Sequence, residues 1–144
     1  MEHLNFNPLP VLQEVNRITK TGGYLYIGMP NQASLRNRLR LLRGKSIYTP
    51  ISASFAQLAR VGNMIVSIHW REYTLPETVM MIEKMGYEIT TAYFDSFENT
   101  RTFGIKPILK TLFYTVPSFR PAQVVVGKKR QVSRCEFWLT EANS

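Results

Sequence analysis

Apolar residues recur at helical spacing near the start of the chain. Asn7 followed by Pro8 is typical of an N-cap and a first helical residue, where the missing N–H of proline costs little. Gly22 or Gly23 can supply the left-handed residue that ends such a helix. The apolar stripe consists of Val11, Leu12, Val15 and Ile18. The pattern therefore predicts a helix over Pro8–Thr19 with this stripe facing the core.

A short, mostly apolar stretch follows the two glycines. Tyr24–Gly28 has the composition of a strand in the interior of a parallel sheet, where both faces are covered. It leads into the loop Met29-Pro30-Asn31. A helix, a glycine stop, a buried strand and a loop in succession are typical of an α/β sheet that binds a nucleotide or a cofactor.

Residues 31–73 interrupt the alternation of helices and strands, and they are predicted to form an insertion with its own helix. Three leucines at helical spacing lie beside a stripe of arginines, and Gly44 is expected to end this helix. The leucines are Leu35, Leu39 and Leu42, and the arginines are Arg36, Arg40 and Arg43. Ser46–Ile68 is ambiguous and is compatible with a helix over Ser54–Arg60 and a strand over Met64–Ile68.

The pattern then returns to a helix followed by a strand. Thr74 and Glu77 have the spacing of a capping box, and Gly86 is placed to stop the helix that they begin. The residues expected on its inward face are Leu75, Val79 and Ile82. Tyr87–Phe94 has the pattern of a strand.

The last part of the chain is predicted to contain one more helix and one more strand. Asp95–Gly104 is polar and rich in turn-forming residues. Ala122–Gly127 is an apolar strand, and residues 128–144 form a basic tail whose Phe137-Trp138-Leu139 patch is placed to dock locally. The expected buried positions of the helix are Ile108, Leu109, Leu112, Phe113 and Val116.

Length and composition set the broad class. A chain of 144 residues that is 44% hydrophobic can form one domain with a sizeable core. No apolar run approaches the roughly 20 residues of a membrane span, and the first residues lack the features of a signal peptide, so a cytoplasmic location is expected. Cys135 cannot form an internal disulfide, and with only His3 and His69 beside it there is no convincing ligand set for a structural zinc.

A net charge of +8 favours anionic partners such as nucleic acid, phosphorylated metabolites or an acidic membrane surface. The cations form two clusters. One comprises Arg36, Arg38, Arg40, Arg43 and Lys45, and the other Lys128, Lys129, Arg130 and Arg134. The aromatic residues do not cluster with these cations as a base-stacking platform would, so nucleic-acid binding is the weaker interpretation.

Six short segments form a combination that is more specific than any one of them. They are Glu2-His3-Leu4, Glu14-Val15-Asn16-Arg17-Ile18, Gly22-Gly23-Tyr24-Leu25, Met29-Pro30-Asn31, His69-Trp70-Arg71-Glu72-Tyr73-Thr74 and Met85-Gly86-Tyr87. Together they resemble the C-terminal half of class I S-adenosylmethionine-dependent methyltransferases, over residues 2–127. The chain looks most like the branch that carries an insertion between the fifth strand and the next helix.

The resemblance implies a partial Rossmann-like methyltransferase sheet in residues 1–127, with helices on both faces and the insertion 31–73 as a substrate cap. In the family, a glycine-rich loop after the first strand and an acidic residue ending the second hold S-adenosyl-L-methionine. Both motifs precede the part that this chain matches. The chain is therefore expected to be the C-terminal portion of a methyltransferase, inactive and with weak or absent cofactor binding unless an N-terminal half is supplied.

Positions that match the family's motifs carry over as site residues. The resemblance implies that His3 and Pro30 line the cofactor pocket, although His3 as a terminal polar residue in solvent is the alternative. Asn31 is implied to lie near the substrate, or else it caps the next helix. His69 is the candidate base that takes a proton from the methyl acceptor, because an imidazole titrates near neutrality. Otherwise, His69 fixes the insertion to the following helix through polar contacts shared with Arg71 and Glu72.

The arginines are the candidate substrate-binding residues, because guanidinium groups pair bidentately with phosphate or carboxylate. They are Arg36, Arg40, Arg43 and Arg71. For the first three, a solvated surface is the alternative. The methyl acceptor is expected to be small or glycan-like, and an anionic group on it would suit the arginines.

Two functions of different classes therefore stay open. The first is a methyltransferase portion, and the second is a non-enzymatic basic binding module for nucleic acid or anionic surfaces. Without upstream strands, Tyr24–Gly28 would present an open edge and apolar surface. The expected protein partner is consequently a second copy of the chain, or a chain that supplies the N-terminal half.

Overall fold

The computed structural model describes residues 1–4, 6–52, 55, 69–96 and 111–133, and these form a small mixed α/β domain. The helices are α1 (Leu9–Ile18), α2 (Leu35–Leu42) and α3 (Leu75–Lys84). The strands are β1 (Tyr24–Pro30), β2 (Tyr87–Asp95) and β3 (Ala122–Lys129). A short 3-10 helix, Pro117–Phe119, precedes β3.

These elements lie close to their predicted positions. α1 begins one residue late, because Pro8 is its N-cap and the Asn7 side chain accepts the Leu9 N–H at 3.0 Å. β3 runs to Lys129, so the first two residues of the expected basic tail belong to the sheet. The predictions for Ser54 and 56–60, Met64–Ile68, Ile108, Leu109, Cys135 and Phe137-Trp138-Leu139 lie outside the described residues.

The predicted start of α3 and the glycine stops of α2 and α3 are confirmed, whereas α1 ends at Thr19 in extended conformation, before the left-handed Gly22. Thr74 and Glu77 form a reciprocal capping box, in which the Glu77 carboxylate accepts the Thr74 N–H at 2.8 Å. Gly44 after α2 has a φ of +65°, and Gly86 after α3 has a φ of +87°. Left-handed glycines at these positions let the chain leave the helix without a Cβ clash.

The three strands form one sheet in the order β1-β3-β2. β3 is antiparallel to both neighbours, so β1 and β2 are parallel to each other. The ends of the ladders pair Tyr24 with Lys128, Pro30 with Ala122, Tyr87 with Lys129 and Asp95 with Ala122. The register of β2 shifts between Ile89 and Thr91, as at a β-bulge.

The prediction that β1 is an interior strand of a parallel sheet is wrong. Among the described strands, β1 lies at an edge, pairs antiparallel with β3, and alternates between exposed and more buried positions. The strand enclosed on both faces is β3, where the adjacent Val124 and Val125 are both fully buried. An apolar run indicates burial, but the direction of the neighbouring strand depends on the path of the chain.

α1 and α3 pack on the same face of the sheet. The buried core contains Leu12 of α1, Ile82 of α3, and Met85, Tyr87 and Val125. Leu25 and Ile27 of β1 and Ile89 of β2 pack against it. The expected placement of helices on both faces is therefore not met by these two helices, because both bury their apolar residues against the face that carries Leu25, Ile27 and Val125.

The inward face of α1 differs from the predicted stripe. Leu12 is buried as expected, but Val11 and Ile18 are exposed and the fully buried residue is Asn16. Asn16 donates through Nδ2 to the carbonyls of Met85 (2.7 Å) and Gln131 (3.2 Å), and accepts through Oδ1 from the Ser133 N–H (3.0 Å). Because these hydrogen bonds satisfy the polar atoms of its side-chain amide, Asn16 can occupy a position in the core.

The inward face of α2 is also polar. Leu39 and Leu42 are exposed and Leu35 is only partly buried, whereas Ser34 and Asn37 are buried. The leucines therefore do not form the face that α2 buries. The hydrogen bonds that Asn37 donates to Gln32 and Glu72 set the rotation of α2 about its axis.

The segment before β3 is held by polar contacts. Leu112, Phe113 and Val116, which were expected to be buried, are exposed. Arg120 donates to the carbonyls of Tyr114 (3.2 Å) and Phe94 (3.0 Å), which ties the segment to β2.

Candidate functional site

His69 precedes α3 and is held by a carboxylate. Its Nδ1 lies 3.0 Å from Oε1 of Glu72, a buried residue. The other carboxylate oxygen, Oε2, accepts a hydrogen bond of 2.9 Å from Nδ2 of Asn37 in α2. Because a carboxylate can only accept, this contact keeps the proton of a neutral imidazole on Nδ1. The lone pair of His69 is then on Nε2, where it can take a proton or bind a metal.

A cavity of about 400 Å³ lies beside His69. The side chains that line it include Arg36, Arg40, Asn37, Tyr48, His69 and Glu72. Arg40 also donates from Nε to the carbonyl of Ser46 at 2.8 Å, which holds its guanidinium at the cavity. The fold thus brings the candidate base His69 together with Arg36 and Arg40, two members of the predicted arginine stripe.

The charge of this cavity is set by the sequence around it. No acidic residue occurs between Glu14 and Glu72. Glu72, the acidic residue of the lining, is already engaged by His69 and Asn37. The guanidinium groups of Arg36 and Arg40 line the cavity, and Glu72 is already paired with other residues. The cavity therefore favours an anionic ligand.

A second cavity of about 340 Å³ lies where β1 ends. It is lined by Gly28, Met29 and Pro30 of β1, Ser96 just after β2, and Glu2, Pro121 and Ala122. Because β1 and β2 are parallel to each other, their carboxyl ends meet at one edge of the sheet. Ligands of α/β sheets bind outside the carboxyl ends of such strands, and Pro30 lines the cavity at this edge.

Asn31 joins three parts of the chain. Its Nδ2 donates to the carbonyls of Ser118 (3.0 Å) and Arg120 (2.8 Å), and its Oδ1 accepts from the Ala33 N–H (3.0 Å). The residue is almost fully buried and forms an isolated parallel bridge with Tyr73. Its polar side-chain atoms therefore fix the loop after β1. The alternative that Asn31 caps α2 is wrong, because Ser34 is the N-cap.

Glu2 and His3 lie against the His69 segment. The Trp70 N–H donates to the carbonyl of Glu2 at 2.8 Å, and the rings of His3 and His69 meet edge to face, with centroids 4.8 Å apart. Burial raises the pKa of the Glu2 carboxyl, but a hydrogen bond from its own backbone N–H, the N-terminal ammonium and His3 outweigh burial, so the pKa is lowered. Glu2 is therefore an anion at neutral pH.

Within the described part of the chain, Glu2, His3 and His69 form the one group of three potential metal ligands. One ligand atom from each residue lies within 4.8 Å of the others. The two histidines come from distant parts of the sequence, and only folding brings them together.

Two predicted arginines lie away from the His69 cavity. Arg43 is exposed and follows α2 as its C-cap. Arg71 donates to Glu77 at 2.9 Å, and its guanidinium lies 5.0 Å from the ring centre of Tyr73. Arg71 therefore contacts the start of α3, as the anchoring alternative for this segment expects.

Sequence reasoning missed Asn37 and Glu2 as members of the site, and it treated Glu72 only as an anchor. The spacing of His69 and Glu72, three positions apart, was the available signal for their pair. Asn37 lies within the pattern of leucines and arginines, and nothing in the sequence indicated that it belongs to the site.

The described helices include none that is long and apolar enough to cross a membrane. Comparisons with protein-family models and with curated proteins find no match to this chain.

Proposed function

We propose that this chain is the C-terminal portion of a class I S-adenosylmethionine-dependent methyltransferase, with a partial Rossmann-like sheet. The strand order supports the proposal most strongly. β1 and β2 are parallel and β3 lies between them in the opposite direction. α3 lies between β1 and β2 in the chain and connects these two parallel strands, as the helix of a βαβ unit in a Rossmann-like sheet does.

The cavity at the carboxyl ends of β1 and β2 is the proposed cofactor position. Gly28 has no side chain to fill it, and Met29 and Pro30 contribute apolar walls. Glu2 provides one carboxylate. These groups suit one side of S-adenosylmethionine, which when bound supplies a methyl group on a sulfonium. The glycine-rich loop and the ribose-binding acid would come from an N-terminal half.

His69 is the proposed general base. Its Nε2 would accept the proton that the acceptor hydroxyl loses on methylation, while the bound cofactor would supply the methyl group and leave as the neutral thioether. The imidazolium that results is stabilised by Glu72, and Asn37 holds that carboxylate in place. Arg36 and Arg40 bind an anionic group of the acceptor in the same cavity, which fits a phosphorylated or carboxylated sugar-like molecule.

NMR titration of the chain with S-adenosylhomocysteine, the unreactive product, tests the cofactor position. We expect weak saturable binding, with a dissociation constant of about 1 mM or higher, and shifts confined to Gly28, Met29 and the residues around Glu2. Sub-micromolar binding would refute the need for an N-terminal half. Complete absence of shifts at these residues would refute the proposed cofactor position.

A titration with glucose 6-phosphate tests the acceptor cavity. The Nε–H signals of Arg36 and Arg40 are expected to shift, and Arg36→Gln is expected to weaken binding. Arg43→Gln is the matched control, because this arginine lies outside the cavity. Equal loss in both variants would show that general surface charge, and not the cavity, binds the phosphate.

A basic binding module is the second candidate, and the absence of acidic residues between Glu14 and Glu72 favours it. Binding of RNA, DNA or anionic vesicles would then fall steeply with salt. Under this alternative, His69→Ala leaves that binding unchanged. Under the methyltransferase proposal, tight polyanion binding is not expected.

A further inference from the structure

Where the N-terminal segment contacts His69, three side chains with metal-binding atoms converge, one from the lining of each cavity and one from His3. Glu2 supplies a carboxylate, and His3 and His69 supply two imidazoles. His3 Nε2 lies 3.8 Å from Oε1 of Glu2, and the His3 and His69 rings are in edge-to-face contact. The hydrogen bond from Trp70 N–H to the Glu2 carbonyl joins the two backbone segments, so the three side chains converge from anchored positions.

His69 is already oriented as a metal-binding histidine commonly is. Its Nδ1 contacts Oε1 of Glu72 at 3.0 Å, and Glu72 is in turn held by Asn37 at 2.9 Å. Metal-binding histidines usually donate their second N–H to such a carboxylate, which fixes the ring and raises the basicity of the other nitrogen. Glu72 therefore leaves Nε2 of His69 as the nitrogen that can bind a cation.

We propose that Glu2, His3 and His69 bind a divalent transition metal such as Zn²⁺. Two imidazole nitrogens and one carboxylate oxygen suit zinc and its neighbours in the first transition series, whereas Mg²⁺ and Ca²⁺ prefer all-oxygen sites. Three protein ligands leave a coordination position for water or for a small ligand.

Metal binding requires a modest contraction of the site. Tetrahedral zinc, with bonds of about 2.0–2.1 Å, separates its ligand atoms by about 3.4 Å, and the three donors lie within 4.8 Å of one another. His3 is the most exposed of the three residues, so rotation of its side chain is the least hindered way to close this gap.

The metal site does not depend on the methyltransferase proposal. Nε2 of His69 has one lone pair, which cannot hold a proton and a metal ion at the same time. A metal-loaded chain would therefore lack the general base proposed above. Metal binding is measured on the chain alone, without a cofactor or an acceptor.

Isothermal titration of the untagged chain with ZnCl₂ tests the site, and the absorption spectrum of the Co²⁺ complex reports nitrogen ligands. We expect one ion per chain and no competition from Mg²⁺. Glu72→Gln is expected to weaken Zn²⁺ binding about 10- to 100-fold, because the variant loses the carboxylate that orients His69. His3→Ala and His69→Ala are expected to weaken it at least as much.

Glu14→Gln is the matched control, because it removes one exposed carboxylate that pairs with Arg17 and is not among the three ligands, and it should leave Zn²⁺ affinity unchanged. His3→Ala changes an exposed side chain, so the test stays informative even if His69→Ala disturbs the fold. The proposal is overturned if the unaltered chain does not bind Zn²⁺, or if both histidine variants keep its affinity.

Discussion

Gly86 links α3 to β2 with a backbone φ of +87°. Its carbonyl accepts the N–H groups of Arg130 (3.0 Å) and Gln131 (3.2 Å), so the turn also anchors the chain that leaves β3. A Cβ atom at this position would lie 2.6 Å from the carbonyl oxygen of Gln131. Two separate effects, left-handed backbone and steric contact, therefore require glycine here.

Gly86→Ala is expected to lower the free energy of unfolding by about 2–4 kcal/mol, because strain and overlap add. Gly44→Ala is the matched control, since Gly44 also has a positive φ but a Cβ there would meet no atom within 4 Å. The control should lose only the strain, about 1 kcal/mol. Urea unfolding of both variants measures the difference, and equal losses would contradict the role of the Gln131 contact.

Asn16, like Gly86, has a role that only its contacts in the folded chain explain. Asn16→Ala removes the donors to the Met85 and Gln131 carbonyls and the acceptor for the Ser133 N–H. We expect a loss of about 2–3 kcal/mol in thermal or urea unfolding, because buried polar groups are left without partners.

Gln13→Ala, at an exposed position of the same helix, should change stability by less than about 0.5 kcal/mol. A loss at Asn16 no larger than at Gln13 would show that the buried hydrogen bonds contribute little.

At the scale of elements, α2 is a helix that was predicted from its leucines but buries a polar face instead. The periodicity of Leu35, Leu39 and Leu42 identified the helix. Its rotation is set instead by Asn37, which donates to Glu72 (2.9 Å) and to the Gln32 carbonyl (3.0 Å). A buried carboxylate needs such a donor, and this requirement outweighs partial burial of leucines at a surface.

α3 has an N-terminus whose stability depends on pH. The pKa of Glu77 is lowered from its ordinary 4.5, chiefly because the Thr74 backbone N–H donates to its carboxylate; burial opposes this, and the Thr74 hydroxyl and Arg71 reinforce it. A carboxyl whose folded pKa is depressed stabilises the fold above its unfolded pKa. That stabilisation is lost as the pH falls through the lower, folded pKa.

Glu77→Gln keeps an acceptor for the capping box but removes the charge. We expect the variant to be less stable than the parent near pH 7, by about 1 kcal/mol or less. The difference should shrink as the pH falls below 4.5 and vanish below the lowered pKa of the folded state. Urea unfolding over a pH series measures this. Glu83→Gln, exposed on the same helix, controls for net charge, and a difference that persists at low pH would contradict the assignment.

At the scale of the whole molecule, the edge of β1 that pairs with no described strand makes the chain prone to association. β1 pairs only with β3 among the described strands, and Tyr24 and Tyr26 are each about three-fifths exposed, at 62% and 61%. An unpaired edge with exposed apolar side chains is a template for further strands. The same edge would receive the strands of an N-terminal half under the proposed function.

The chain is therefore expected to associate as its concentration rises, and light scattering or sedimentation measures this. Tyr26→Lys should shift the equilibrium towards monomer, because an edge lysine disfavours strand pairing. Met80→Lys, at an exposed position of α3, is the control and should not. A parent chain that stays monomeric at every concentration would contradict the prediction.

Most of the described helices and strands could be predicted from the sequence, but little of how they pack together could. Capping residues, glycines and apolar periodicity act locally, so α3, with its box at Thr74 and its stop at Gly86, was predicted almost to the residue. Strand direction is not a local property, and β1 was consequently assigned to the wrong type of sheet position. The site followed the same division, because His69 and its neighbour Glu72 were predicted from nearby positions, whereas the approach of Asn37, Glu2 and His3 was not.

The sequence by itself determined the order of the described helices and strands and most of their approximate bounds, the basic character of the insertion, and which residue types carry chemistry. These follow from interactions between residues a few positions apart. The tertiary structure alone decided that β3 lies between β1 and β2, that Asn16 and Asn37 belong inside, and that His3 meets His69. Such contacts join residues far apart in the chain, and their energies depend on burial and on partners that no local pattern contains.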